Sequence, residues 1–484
     1  MFALEDKKQL IEYIVIGIQV LVSIFFMITL FALNVLPAGY MVGMIFVLLL
    51  MAAALALWIK KSKGKKTKLI PKITSIVLSI LIVIGGIYII KGSSFLNVIT
   101  GADTQTNAMA VIVMEDSKYE ELSDLKGKKY GIGSEPDKNV DITMKEIKRQ
   151  QGALYVERAA DMQALADALY AGTVDAVVVN EAYKSMLEVN HKKFDSETRV
   201  IWRYRITEGI KDEADHVDVT SDPFNIYISG IDTIGPVSTV SRSDVNMILT
   251  VNPVTREILM TGIPRDYYVT LPSYGQKDKL THSGIYGINE SIATIESFMG
   301  IDINYYARVN FTSVKEIVNA LGGIKVYSDR DLELEINYEK VYIKKGVSKM
   351  DGRTALRFAR ERYSYVEGDA HRVQNQQAVV KGIIRKVTSP SVIKSYSKIL
   401  KATGECMETS MKAKDLQGLA KMQLSQGGKW HMIGNQVSGI EDMSSECYSM
   451  PETELCVIVP DGASIAKAAE YINKVIVGEK IDIE

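Results

Sequence analysis

The sequence predicts an α/β protein carried by three N-terminal membrane-spanning helices, and three observations lead to that expectation. The first ninety residues hold three long apolar stretches, the middle of the chain alternates helix-period and strand-period runs, and the carboxyl-terminal half sets acids and arginines beside apolar runs. At 484 residues the chain has room for two or three domains, and its net charge of -1 gives no reason to expect nucleic-acid binding.

The apolar stretches run from Ile11 to Leu33, Tyr40 to Ile59 and Ile73 to Ile90. The first two are long enough to span a bilayer and the third is at the short end of the usual range of about 17 to 25 residues. A buried core helix would explain any one of them, but three in succession point to a membrane, so residues 1–100 are read as an anchor. The loop from Lys60 to Lys68, ahead of Lys72, is dense in lysine, whereas the Asn-Val-Leu-Pro-Ala-Gly link between the first two spans has none. That asymmetry places the amino terminus and the basic loop in the cytoplasm and everything after about Lys91 outside. No small-residue cleavage site is evident, so a removed signal peptide is not expected.

Residues 101–222 form a second, accessory module. Val111 to Met114 reads as a strand, Glu120 to Gly133 as helix, turn and strand, Met162 to Tyr170 as a helix, and the run after Asp175 as another strand. Gly131-Ile-Gly133 is too short for a nucleotide-binding loop. The phrases Leu-Lys-Gly-Lys-Lys-Tyr-Gly-Ile-Gly and Ala-Gly-Thr-Val-Asp-Ala-Val-Val-Val resemble one lobe of a periplasmic solute-binding protein. Such proteins clamp ligands between two lobes, so a single lobe favours a spacer or interaction domain over a receptor.

Residues 223–484 carry the chemistry. Phe224 to Ile231 reads as a buried strand that would present Asp232 at its carboxyl end, where open α/β sheets place ligands, and Asp244 opens the next apolar run. Adjacent strands lie about 4.8 Å apart, so the two acids could share a hard cation such as Mg2+. Arg360 and Arg362, two apart, point the same way in an extended stretch, and Arg372 and Gln376, four apart, share one face of a helix. With Arg242, Arg265, Asp266 and Asp369 they make a set suited to metal-assisted phosphoryl transfer: carboxylates hold the metal and guanidinium forks hold phosphate oxygens. Each piece has an ordinary explanation, whether a turn-forming aspartate, a solvated Arg-Glu-Arg face or a proline-closed loop. Their joint occurrence in this order favours the site.

Helical patterns over Ser291 to Phe298, Val314 to Leu321 and Ala378 to Val387 have apolar faces, and a strand at Leu455 to Val459 with a helix at Ser464 to Val477 completes the same domain. Cys406, Cys447 and Cys456 allow one disulfide with one thiol left over, or three thiols in a reducing environment. No Cys/His spacing suggests zinc, and His371 reads as a surface or supporting residue rather than a general base.

Taken together, Gly-Ile-Asp232, Ser-Arg242-Ser-Asp244, Ile-Pro-Arg265-Asp266, Lys279-Leu-Thr-His-Ser-Gly, Leu-Gly-Gly-Ile-Lys-Val, Met-Asp-Gly-Arg-Thr-Ala-Leu, Arg360-Glu-Arg362, Asp369-Ala-His-Arg372 and Asn-Gln376-Gln resemble the LytR-CpsA-Psr family of cell-wall glycopolymer ligases, capsule-associated type, over residues 223 to about 390. The resemblance implies a central sheet flanked by helices with an apolar lipid tunnel. It also implies transfer of a glycopolymer phosphate from an undecaprenyl pyrophosphate carrier to the muramic acid 6-hydroxyl of peptidoglycan, the polymer being capsular or teichoic. Carried onto this chain, it gives Asp232 and Asp244 to Mg2+, and Arg242, Arg265, Arg360, Arg362, Arg372 and Gln376 to the pyrophosphate. Asp369 falls on a site acid. Thr233-Ile234 stand where many members have Ser-Arg, which leaves a phosphate contact open there. The implied partners are the lipid-linked glycan, peptidoglycan, the membrane and the machinery of envelope-polymer synthesis or export. The implied location is the cell membrane of a Gram-positive bacterium, with the large carboxyl-terminal part outside.

Two other readings use the same residues. A lipid pyrophosphate hydrolase would take water as acceptor. A membrane sensor or regulator would need an output, and the short lysine-rich cytoplasmic parts hold no helix-turn-helix or kinase. Asp266, Asp369 and Asp244 are all candidates for the general base.

Overall fold

The computed structural model describes residues 2–481 apart from 63–64, 212–213, 232–235, 337–338, 367, 390, 393–394, 396–397 and 400–406. Asp232, Thr233, Ile234 and Cys406 therefore lie outside the described residues. Three helices, α1 (Phe2–Leu33), α2 (Ala38–Lys61) and α3 (Lys65–Ile99), are long and apolar enough to cross a membrane, over Gln9–Leu33, Ala38–Lys61 and Thr67–Ile99. The third exceeds the expected Ile73 to Ile90, because an apolar run marks only the part of a helix that suits a bilayer. Its backbone ladder carries on through Lys91 and Ser93 to Ile99, with Pro71 inside near its start. Gln19 on α1 accepts hydrogen bonds from the Ser75 and Ser79 hydroxyls of α3 at 3.3 and 2.7 Å, a polar tie of the kind that joins helices in an apolar medium.

The accessory module is a five-stranded sheet in the order β3-β2-β4-β1-β5, built from β1 (Thr104–Met114), β2 (Lys129–Gly133), β3 (Tyr155–Ala159), β4 (Ala176–Asn180) and β5 (Thr198–Gly209). Side chains alternate along β1. Val111 and Val113 pack with Tyr130 and Ile147 on one face, while Ala110 and Ile112 pack with Leu165 and Phe194 on the other. Both faces are thus covered by helices, α4 (Lys138–Gln151) and α5 (Met162–Tyr170). Helix α5 lies where its periodicity put it. The helix expected from Glu120 is only a 3-10 turn, Leu122–Leu125, after which Gly127 adopts a positive φ of 74° and the chain enters β2. Helix α4 carries an apolar stripe at Val140, Met144 and Ile147 that packs under β1, and its start is fixed by Asp137, whose carboxylate accepts from the Asn139 and Val140 amides.

Beyond it the chain forms β6 (Phe224–Ile231), β7 (Ser243–Asn252), β8 (Glu257–Ile263), the pair β9 (Tyr268–Leu271) and β10 (Gln276–Lys279), and β11 (Tyr305–Asn310). Next come β12 (Ile324–Ser328) paired with β15 (Gly346–Met350), enclosing the hairpin of β13 (Leu332–Ile336) and β14 (Glu339–Ile343). The last strands are β16 (Met407–Thr409), β17 (His431–Gln436), and the hairpin of β18 (Gly439–Cys447) and β19 (Met450–Pro460). Six of these make the central mixed sheet, ordered β16-β11-β6-β7-β8-β17. Helices α6 (Ile288–Met299), α7 (Phe311–Ala320), α8 (Gly352–Ala359), α9 (Asp369–Val387), α10 (Ala413–Gln426) and α11 (Gly462–Val477) surround it.

The two faces of this sheet bury alternate residues. Tyr227, Ile248 and Leu259 pack beneath Ile295 of α6 and Ile472 of α11. Met247, Leu249 and Met260 face Val380 and Ile384 of α9 and Leu416 and Leu419 of α10. The accessory sheet is fastened to the carboxyl-terminal part by backbone hydrogen bonds, Thr106 N to Ser238 O and Val240 N to Thr106 O, both 2.8 Å. An apolar cluster of Ala182, Met186, Val240, Ile285 and Met450 closes the same junction. Cys447, buried, and Cys456, exposed, are both free thiols.

Candidate functional site

At one end of the central sheet β6 finishes, β7 begins, β8 runs out into a loop, and β11 passes straight into α7 through the Asn310 cap. Ile231, the residue before Asp232, pairs with Ser243, the residue before Asp244. Here a cavity of about 650 Å3 is lined by Arg242, Asp244, Arg265, Arg360, Arg362, Arg372 and Gln376, seven of the residues singled out from the sequence. They come from four separate stretches, so the fold and not local sequence brings them together.

Helix α9 is pressed onto β8 because position 262 is glycine: a Cβ there would lie 2.1 Å from Val373 Cγ1. Gln377 fixes the contact by donating to the carbonyls of Met260 at 3.1 Å and Asn435 at 2.6 Å, pinning α9 across β8 and β17. Its neighbours Arg372 and Gln376 are then aimed at the cavity from one helix face, as their spacing predicts. His371 is buried instead, its ring stacked on Tyr365 with centroids 3.6 Å apart, so a surface location for it is corrected.

Arg360 and Arg362 reach the cavity in a way the extended-chain expectation did not describe. Arg360 caps α8 with helical dihedrals, φ -97° and ψ -6°, and its guanidinium lies over the Phe311 ring at 4.2 Å. Glu361 between them turns inward, buried, where it pairs with Arg357 and accepts from the Ser364 amide at 2.9 Å. Arg362 is laid over the Tyr363 ring at 4.8 Å. Stacked guanidinium groups keep their edges available for anion forks.

Charge is unevenly satisfied here. Arg265 Nη1 is 3.3 Å from Asp244 Oδ1, and Arg372 Nη2 is 2.9 Å from Asp369 Oδ1. Burial lowers the Arg265 affinity for its proton, but Asp244, Asp266 and Asp369 overcome that and hold it above its ordinary range. Arg372 is shifted down, by burial first and by Arg265 and Arg362 as well, with Asp369 opposing. The buried Nε of Arg372 has no hydrogen bond among the described residues, and that of Arg265 has only a 3.4 Å ion contact with Asp266. Donors so placed call for acceptors, and phosphate oxygens fit.

Asp266 is placed differently. It lies outside the cavity lining, pairs with Lys279 Nζ at 2.8 Å and Arg265 Nε at 3.4 Å, and although burial raises its pKa, those two cations bring it below the usual carboxylate range. Asp369, the first residue of α9, likewise is not in the lining but touches it through Arg372.

For a metal, no group of three or more His, Cys, Asp or Glu side chains is gathered among the described residues. Mg2+ commonly takes only one or two carboxylates and keeps several waters. Asp244, with one oxygen 3.2 Å from the Thr281 hydroxyl, and Asp369, whose oxygens lie 2.9 and 3.0 Å from Arg372 Nη2, are suitable hard donors in kind.

Sequence reasoning missed four charged residues of the lining, Lys315, Glu335, Arg353 and Arg357. Arg353 and Arg357 were discoverable, since they stand four apart on α8 just as Arg372 and Gln376 do on α9. Lys315 of α7 and Glu335 of β13 lie in stretches with no distinguishing pattern.

Comparison with known proteins agrees with this picture. Residues 184–458 match the LytR_cpsA_psr family model, and residues 94–208 match a model described as ABC transporter, phosphonate, periplasmic substrate-binding protein. The polyisoprenyl-teichoic acid–peptidoglycan teichoic acid transferase TagU of Enterococcus faecalis is 34% identical over 237 residues, 48% of this chain and 77% of that protein. The TagU of Bacillus cereus is 34% identical over 192 residues, 40% of this chain and 61% of that protein. The crystal structure of B. subtilis TagV superposes on 54% of this chain and 99% of its own length, with 25% identity and a TM-score of 0.45. With a family model spanning more than half of its residues and a relative matched over most of its length, the chain belongs to the LytR-CpsA-Psr family.

Proposed function

We propose that this protein is an extracytoplasmic phosphotransferase that joins a glycopolymer, capsular or teichoic, to peptidoglycan, taking the polymer phosphate from an undecaprenyl pyrophosphate carrier. The observation that carries this reading is the cavity itself: seven arginines and a lysine surround two carboxylates at one end of the sheet, in a family whose relatives are named as teichoic acid transferases. An excess of cations on this scale suits a pyrophosphate and little else of small size.

In this reading Arg265, Arg372 and Gln376 grip the bridging and terminal phosphate oxygens, and the stacked Arg360 and Arg362 bind from the opposite wall. The muramic acid 6-hydroxyl attacks the phosphorus next to the glycan. The new O–P bond forms as the bond to the bridging oxygen breaks, and polyprenyl monophosphate departs with its charge neutralised by the arginines. The hydroxyl proton passes to a carboxylate. The candidates are Asp266, held ionised by Lys279 and Arg265, Asp369, paired with Arg372, and Asp244. Asp244, with Asp369 or Asp232, would hold Mg2+, which supplies Lewis-acid charge to the phosphate oxygens. The carrier's tail would lie among the partly buried Val380, Ile384, Leu416 and Leu419 between the sheet and α9 and α10.

The lysine-rich loop supports a topology with the sheet domain outside the cell. A cysteine probe at Ser62 should be labelled only from the cytoplasm and one at Ser117 only from outside, and the reverse would remove access to cell wall. The activity test is transfer of a labelled glycan phosphate from a polyprenyl pyrophosphate to peptidoglycan fragments by the detergent-solubilised full chain. Mg2+-dependent transfer is expected. Release of free glycan phosphate with no transfer would replace the ligase with a hydrolase.

A further inference from the structure

A second cavity, about 1010 Å3, lies where the accessory sheet meets the carboxyl-terminal part. Its floor is the end of the accessory sheet at which β2, β3, β4 and β5 finish, marked by Gly133, Ala160, Asn180 and Glu208. Ligands of open α/β sheets sit at the carboxyl ends of strands. The opposite wall belongs to the catalytic part and is aromatic. Tyr274, Tyr286 and Tyr448 form a mutual cluster, with ring centroids 4.6, 4.8 and 6.0 Å apart, and Tyr183 joins it from the accessory side.

The hydroxyls of these four tyrosines, partly exposed at the cavity, make no hydrogen bond among the described residues and are open to a ligand. Burial raises the pKa of Tyr183 and Tyr286, and that of Tyr274 to about 12, so all three stay protonated donors. The junction is closed by the paired backbone of Thr106 and the apolar cluster around Val240, which makes it a packed interface.

The charge of the lining decides what it can take. Six carboxylates, Glu135, Asp137, Asp161, Glu208, Glu446 and Glu452, face two lysines, and no arginine is present among the described lining residues. The two helix amino termini that could seat an anion are already occupied, since Asp137 caps α4 and Asp161 caps α5. Glu208 is engaged by Asn107 and Lys138, but the Glu135 side chain has no hydrogen bond or ion pair among the described residues and acts electrostatically on Tyr448 across the gap. Tyrosine faces beside carboxylates attract an organic cation.

We propose that this cavity is a binding site for a small amine-bearing solute, in which the catalytic part stands where a two-lobed binding protein has its second lobe. The ligand's ammonium sits against the Tyr274, Tyr286 and Tyr448 rings within reach of Glu135, and its polar groups meet Asn180 and the tyrosine hydroxyls. Occupancy would bridge the accessory sheet and the catalytic part, so a solute outside the cell could set how firmly the two are held.

Calorimetry on the detergent-solubilised full chain tests this without any transfer reaction, so its outcome is separate from that of the phosphotransferase reading. The probes are choline with its uncharged analogue neohexanol, glucosamine with glucose, and methylphosphonate. At least one amine should bind at millimolar concentration or below, about tenfold more tightly than its uncharged partner. Tyr286→Ala should abolish that binding. Glu135→Gln, at an exposed position that does not threaten folding, should weaken it severalfold and remove its salt dependence, and Arg372→Lys should leave it unchanged. Tighter binding of methylphosphonate, equal binding of amine and uncharged analogue, or no amine binding by folded protein would each overturn the proposal.

Discussion

Two cavities open at strand ends of two different sheets, and they are opposite in character. The one on the central sheet gathers seven arginines and a lysine around Asp244 and Glu335, whereas the one on the accessory sheet sets tyrosines and carboxylates around two lysines and no arginine among its described residues. Similar backbone geometry therefore serves opposite ligands. Sheet ends place side chains at a common point, and residue type alone decides whether an anion or a cation is wanted there. The contrast can be broken at several points, in order of expected size.

The largest effect separates arginines that serve the fold from arginines that serve a ligand. Arg308 of β11 is buried and pairs with Glu408 of β16, whose carboxyl burial pushes up despite that partner. Glu408→Ala would leave a buried guanidinium without its counter-charge, at a cost of about 3 to 5 kcal/mol. Thermal melts should show a large fall in Tm for this variant. Arg372→Lys and Arg360→Lys should melt within a few degrees of the parent, because their cluster is crowded with like charge and gains little from folding. A Tm for Glu408→Ala equal to the parent would erase the distinction.

Next is the metal. Asp244→Ala should lower Mg2+-dependent transfer about a hundredfold, roughly 2.7 kcal/mol of transition-state stabilisation, without unfolding the chain. Turnover that stays at the parent level, or falls equally with and without added Mg2+, would remove the metal from the site. Smaller again is guanidinium geometry. Lysine keeps the charge of Arg265, Arg360, Arg362 or Arg372 but loses the planar fork. One charge-assisted hydrogen bond is worth roughly 1.5 to 3 kcal/mol, so each replacement should cost about tenfold or more in transfer. Parent rates across all four would reduce the cavity to a basic surface.

How much of this was legible beforehand depended on the kind of signal. Apolar runs and helix-period stretches such as Phe224 to Ile231 and Met162 to Tyr170 announce themselves, because burial selects their residues directly. The far end of α3 does not, being set by continuation of a backbone ladder, whereas α4 shows its stripe at Val140, Met144 and Ile147 only weakly among the charged residues between them. Within the site, Arg372 and Gln376 followed from helix spacing, whereas Arg360 and Arg362 reach the same cavity by a helix cap and an inward-turned Glu361 that spacing could not foretell. The tyrosine cluster was invisible for a plainer reason. Tyr183, Tyr274, Tyr286 and Tyr448 are scattered over the chain; folding of the carboxyl-terminal part gathers the last three, and docking of the accessory sheet adds the first.

The smallest expected effect concerns Lys315, a cation of the catalytic lining that no motif marked. It projects from α7, with the Phe311 ring that carries Arg360 one turn earlier on the same helix. A lysine ammonium on a flexible stem contributes mainly a point charge that draws an anion in, and such a contribution is screened by salt over a Debye length of about 8 Å at physiological ionic strength. Lys315→Gln should therefore raise KM for the lipid pyrophosphate about threefold at low salt, leave kcat near the parent value, and lose its effect as salt is raised. Measuring both constants at two salt concentrations separates this from a structural role, which would persist in high salt. A large fall in kcat instead would place Lys315 beside the arginines as a direct phosphate ligand, and would extend the anion site further toward α7 than the sequence suggested.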